Sequence, residues 1–193
     1  MSFTSSEERP PRLTSPAALR ALGHPARLHI LAHLQLHGDA TATECAAEAG
    51  ESPSACSYHL RTLARHGFVQ EAPSPDGRER RWRAAVAGLD FDAGAEAGEE
   101  FQAASALARA ALLELSDSSV REYLAHERSF SPAWREAASF IHSTVVATPA
   151  ELEEIVGRIQ QVLEPFMRSA REHTPRGART VELSIRAVPR SKP

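Results

Sequence analysis

The sequence predicts a mainly helical protein with small β elements, an α+β chain in two domains, and three observations carry that expectation. Between residues 15 and 67 apolar residues recur at three- and four-residue spacing in four blocks, each opened by a capping residue or a proline and closed by a glycine. Two short extended runs then surround a Pro/Asp-Gly turn. Beyond residue 88 the composition shifts to Ala and Glu with long helical periodicity, and the chain ends on a run of strict alternation. At 193 residues the chain is long enough for two small cores. The expected division is a disordered tail at 1–14, a first domain at 15–87 and a second at 88–193.

Ser15-Pro16 opens the first helix, which carries Leu19 and Leu22 up to the interruption at Gly23-His24-Pro25. A second helix starts at Pro25, buries Leu28, Leu31 and Leu34 with Ile30 beside them, and closes at Gly38. Thr41-Ala42-Thr43-Glu44 is a capping box: the Thr41 hydroxyl and the Glu44 carboxylate each accept from a main-chain amide near the other residue. The short helix it opens stops at Gly50. Ser52 then caps, Pro53 presets φ, and a helix over 53–66 ends at Gly67. Two helices joined by a few residues with a glycine at the corner form a helix-turn-helix.

In the second of these helices Cys56, Leu60 and Leu63 form the apolar stripe, while Ser54, Ser57, Tyr58, Arg61 and Arg65 fall on the other side. Hydroxyls and guanidinium groups without a carboxylate suit a polyanion with readable edges, such as the DNA major groove. The plain alternative is a solvated face on a core helix. Charge distribution weighs on the same question. The chain totals −3, yet residues 54–85 hold six arginines against Glu71, Asp76 and Glu79. The extended runs Phe68–Ala72 and Arg78–Ala85 make a hairpin whose alternation groups Arg81 and Arg83 with Glu79, and Arg78 and Arg80 with Trp82. Arginines on a hairpin beside a basic helix suit a wing lying along phosphates.

The string Ala21-Leu22-Gly23-His24-Pro25-Ala26-Arg27-Leu28-His29-Ile30-Leu31, followed by Ser57-Tyr58-His59-Leu60-Arg61-Thr62-Leu63-Ala64-Arg65-His66-Gly67-Phe68-Val69 and the basic hairpin, resembles the ArsR/SmtB-type winged helix-turn-helix repressors. The likeness covers residues 15–85. It implies DNA contact by Ser54, Ser57, Tyr58, His59 and Arg61, contact of the wing arginines with the DNA backbone, and a homodimer. With the cap and the last turn included, the expected DNA-binding set is Ser52, Ser54, Ser57, Tyr58, His59, Arg61, Arg65, Arg78, Arg80, Arg81 and Arg83.

The second domain opens on a linker or ragged helix start, rich in Ala, Gly and Glu, that runs to Glu100. A helix over 101–115 is expected, with Ser116 or Asp117 capping another that holds Val120, Tyr123 and Leu124. Phe140–Ala147 is β-rich, Thr148-Pro149-Ala150-Glu151 is a second capping box, and its helix carries Leu152 to Phe166 with a bend at Pro165. Val181, Leu183, Ile185 and Ala187 alternate with Glu182, Ser184 and Arg186 as a half-buried strand. The apolar excess of the two long helices places the dimer contact in residues 98–172. This half resembles, weakly, the C-terminal extension of some actinobacterial regulators of the same broad family.

Other chemistry is thinner. His29, His33 and His37 share a helix face with metal-ligand spacing, but no nearby side chain other than Asp39 would complete a set. The cysteine pair of the thiophilic-metal sensors in the resembled family is absent, Ala42-Thr43 standing in its place, so no metal and no cofactor are expected. Cys45 and Cys56 occupy apolar positions and read as reduced core residues of a cytoplasmic protein. No apolar run reaches a membrane span and no leader precedes the fold. Nucleophile, phosphate-loop and dinucleotide motifs are missing, which argues against an enzyme. Tyr123, Trp134, Phe140, His142 and Phe166 are the candidates for a small-molecule effector pocket. The reading is a sequence-specific double-stranded DNA-binding regulator, a repressor acting as a homodimer on an inverted repeat. Its alternatives are a winged-helix protein-interaction module and a metal- or small-molecule-responsive sensor.

Overall fold

The computed structural model describes residues 13–74, 79–86, 88–89, 98–167 and 173–190. The chain divides into two compact units, Met1–Asp117 and Ser118–Pro193. The first contains α1 (Pro16–Leu22), α2 (Pro25–His37), β1 (Ala40–Thr41), α3 (Ala42–Ala49), α4 (Pro53–Arg65), β2 (Val69–Ala72), β3 (Arg81–Ala84) and most of α5 (Glu99–His126).

The start and stop signals act as their chemistry dictates. Ser15, Thr41 and Ser52 each accept from the amide three residues on, and the Thr41 main-chain amide donates to the Glu44 carboxylate at 2.6 Å. That bond holds the Glu44 carboxyl below the usual carboxylate range. α4 ends in a Schellman motif: the Phe68 amide reaches back to the Leu63 carbonyl and the Gly67 amide to that of Ala64. The motif requires a left-handed residue, and Gly67 supplies it at φ 74°. Phe68 is thereby swung under the helix into the core.

Leu19, Leu22, Leu28, Ile30, Leu31, Leu34, Leu60, Leu63 and Phe68 are fully buried together with Cys45 and Cys56. Each large side chain there contributes about 1.5–3 kcal/mol relative to an exposed one. The core also includes Leu13, within the stretch expected to be a tail; residues 1–12 lie outside the described residues. Two-residue β1, absent from the sequence expectation, turns the hairpin into a three-stranded antiparallel sheet of order β1-β3-β2, with Ala40 opposite Trp82 and Glu71 opposite Trp82 on the other side. The hairpin tip at 75–78 lies outside the described residues.

Several expectations for the second half are corrected. No helix starts at Ser116 or Asp117: α5 is one helix of 28 residues, because neither glycine nor proline interrupts it, and Ser116 is buried in its middle. The first compact unit runs to Asp117, and the first half of α5 lies in its core. Its small residues Ala104, Ser105, Ala108 and Ala111 are buried there. Small residues let the helices approach so closely that a methyl group on Gly23 would stand 3.1 Å from Leu107 Cβ.

The second unit contains the end of α5, α6 (Pro132–Ala137) and α7 (Pro149–Leu163), with 3-10 turns at Glu127–Ser129 and Glu164–Phe166. The Thr148/Glu151 capping box opens α7 as expected. Pro165 ends that helix in a 3-10 turn rather than bending it, since its ring excludes a further helical turn. Neither Phe140–Ala147 nor Val181–Ala187 joins a sheet among the described residues, and their apolar side chains are exposed. Among the described residues no helix is long and apolar enough to cross a membrane.

Candidate nucleic-acid interface

α4 has no acidic residue, and its outer face presents Ser54, Tyr58, Arg61 and Arg65 to solvent, with Ser57 half-buried at its edge. Tyr58 is 52% exposed, its ring edge-on to that of His59 with centroids 5.8 Å apart. Ser52 is committed to capping and sits 3.1 Å from the Ser54 hydroxyl. Arg65 is oriented by the Thr62 hydroxyl, which in turn donates to the Tyr58 carbonyl. The positive end of the helix dipole adds to a face that carries no negative charge of its own.

His59 does not join that face. Cys56, His59, Leu60 and Leu63 follow the i, i+3, i+4, i+7 pattern of a buried stripe, so the imidazole lies inside, 7% exposed. Its Nδ1 accepts from Arg27 Nε at 3.3 Å and its ring lies against His24, centroids 4.7 Å apart. Accepting at Nδ1 places the proton of the neutral ring on Nε2, which faces Glu51 at 4.0 Å. Burial first, then the neighbouring His24 and Arg27, hold its pKa below the ordinary histidine value despite Glu51. Arg27 also donates to the Ala21 carbonyl, so one guanidinium ties the end of α1 and the start of α2 to the outer-face helix from beneath. Arg27, His24 and Glu51 were missed as positioning residues. The three-residue step from Cys56 to His59 was the signal that could have found them.

The wing arginines divide. Arg81 and Arg83 share a face of β3, as the alternation requires, but both turn back on the helix-turn-helix: Arg81 donates to the Asp39 carbonyl at 2.6 Å and stands 3.6 Å from Glu44, and Arg83 meets the Asp39 carboxylate at 2.7 Å. Arg80 lies over the Trp82 ring at 5.9 Å and beside Glu71 at 3.2 Å, and is more than half exposed. Arg78 lies outside the described residues.

The remaining candidates are dispersed. His33 and His37 stack at 4.7 Å with His29 one turn away, and no group of three metal-binding side chains converges among the described residues. Cys45 and Cys56 are both buried, on α3 and α4; donating its S–H to Cys56, together with burial, pushes the Cys45 thiol well up and keeps it protonated. Of the effector-pocket candidates, Tyr123 lies 6.2 Å from Phe140, whereas Phe140 and Phe166 are largely exposed.

The geometry defines a winged helix-turn-helix, and the comparison with protein families agrees. Residues 22–71, from the end of α1 through β2, match the model of a helix-turn-helix domain family. A solved structure is similar over 57% of this chain and 81% of its own, at 22% identity and a TM-score of 0.33: the homodimeric winged helix-turn-helix DNA-binding domain, fragment 1–100, of a possible ArsR-family transcriptional regulator from Mycobacterium bovis. No curated protein matches the chain.

Proposed function

We propose that the chain is a sequence-specific double-stranded DNA-binding transcription regulator, a repressor acting as a homodimer on an inverted repeat. The observation that carries this reading is the carboxylate-free outer face of α4, where Ser54, Tyr58, Arg61 and Arg65 stand exposed beside a basic hairpin. Ser57 lies at the edge of the reading surface, and Arg80 with Arg78 supplies the phosphate contacts. Ser52 acts as the cap that aims the helix, and His59 supports it from within. A protein-interaction module would not require the arginines. An enzyme would require a nucleophile or an acid–base pair at a cleft, and the DNA-binding reading needs none. The homodimer is supported by apolar side chains left exposed on α5, among them Leu113, Val120 and Leu124, within the 98–172 region. Selection of bound duplexes from a random pool, followed by titration of the enriched sequence against scrambled DNA, is the test. Enrichment of an inverted repeat is expected, and recovery of no preferred sequence defeats the reading.

A further inference from the structure

The segment 180–188 carries an apolar row, Val181, Leu183, Ile185 and Ala187, alternating with Glu182, Ser184 and Arg186. In the isolated chain Val181 is 58%, Leu183 64% and Ile185 50% exposed, and the segment belongs to no sheet among the described residues. Period-two patterning describes a strand with one apolar face, and such a face needs a neighbouring strand to form. Its limits are set on both sides: a turn with Gly177 at φ 83° precedes it, and Pro189 removes the next main-chain donor.

The charges identify the partner. When the strand pairs antiparallel with a second copy of itself, the register must keep apolar residues opposite apolar ones, so the twofold axis passes through a residue rather than between two. Centring on Leu183 leaves Glu182 opposite Ser184, and centring on Ile185 leaves Arg186 opposite Ser184. Centring on Arg186 sets that guanidinium against its own copy. Only the axis at Ser184 places Glu182 opposite Arg186 and Arg186 opposite Glu182, with Leu183 against Ile185 on the other face. We propose that residues 180–188 of two chains pair antiparallel about Ser184, forming an intermolecular ribbon with an apolar face and a face of two Glu182–Arg186 ion pairs. This rests on the homodimer reading above and extends its interface past residue 172. A two-stranded ribbon is marginal alone, so it strengthens a dimer rather than creating it.

The test uses the full chain and sedimentation equilibrium. Glu182→Arg and Arg186→Glu each set like charges opposite one another twice per dimer, and each is expected to weaken dimerisation about tenfold. The double variant Glu182→Arg with Arg186→Glu restores opposite charges and is expected to return to within about twofold of the parent. These are exposed positions, and circular dichroism confirms that each variant folds. Ser184→Cys places two thiols across the axis at a separation that suits a disulfide, so diamide links the chains. Thr180→Cys places them about 27 Å apart at strand rise and does not. Single reversals without effect, a double variant no better than the singles, or equal linking of Ser184→Cys and Thr180→Cys overturns the ribbon while leaving the dimer in place. A parent chain that is monomeric at tens of micromolar overturns the homodimer reading itself, and the ribbon with it.

Discussion

Arg61 projects from the middle of the outer face of α4, where a planar guanidinium can fork onto a base edge. Arg61→Ala is expected to weaken binding to the selected sequence by about 1–3 kcal/mol and to relax discrimination at one base pair. Equal loss on scrambled DNA would demote it to a phosphate contact. His59 makes a different prediction. Its folded pKa lies below its unfolded value, so the unfolded chain takes up a proton first as pH falls. Stability is therefore complete above about pH 6.5 and declines as pH drops through the window between the ordinary and the depressed value. His33 and His66, also depressed chiefly by burial, act in the same direction. Melting temperatures taken at about pH 7.5 and about pH 5.5 should fall with acid, and by less in His59→Gln, which cannot titrate there. An unchanged acid dependence in that variant would remove His59 as a source.

At the scale of elements, the wing has two kinds of arginine. Arg80→Ala should flatten the salt dependence of DNA binding by about one unit on any sequence. Arg83→Ala should leave that slope nearly intact and lower the melting temperature instead, because Asp39 loses its partner at the β1–β3 junction. A slope change as large as that of Arg80→Ala would show that Arg83 reaches phosphate. The helices of the winged unit were legible in the sequence because Ser15, Thr41, Ser52 and Gly67 are local signals that act through the nearest turn of backbone. What was not legible depends on distant residues. β1 exists only because Trp82 and Arg81 arrive opposite Ala40 and Thr41, and Arg81 and Arg83 are drawn inward by Asp39 and Glu44, more than thirty residues away in sequence. His59 entered the expected contact set through the resemblance alone, whereas its three-residue step from Cys56 puts it on the buried stripe.

At the scale of the whole molecule, the first half of α5 completes the winged unit's core. A fragment ending at Val86 removes Ala104, Ala108 and Ala111 from the winged unit's core, so it should melt well below a fragment ending at Asp117. The longer fragment should fold, remain largely monomeric and bind a half-site weakly, since joining two sites raises avidity by roughly 10²–10⁴. Light scattering and titration against full and half sites decide this, and a tight dimer of the longer fragment would move the interface into the winged unit. The clasp of Asp39 on Arg83, and of its carbonyl on Arg81, has a kinetic consequence. The strand β3, already fastened at Arg81 and Arg83 to Asp39, needs no ordering when it meets a duplex. Encounter should then be limited by diffusion and charge, with an association rate that falls steeply with ionic strength and shows no concentration-independent isomerisation phase. Asp39→Ala removes the carboxylate half of that clasp and leaves the main-chain carbonyl to Arg81, so the loosened Arg83 side should then show as a slow second phase after mixing.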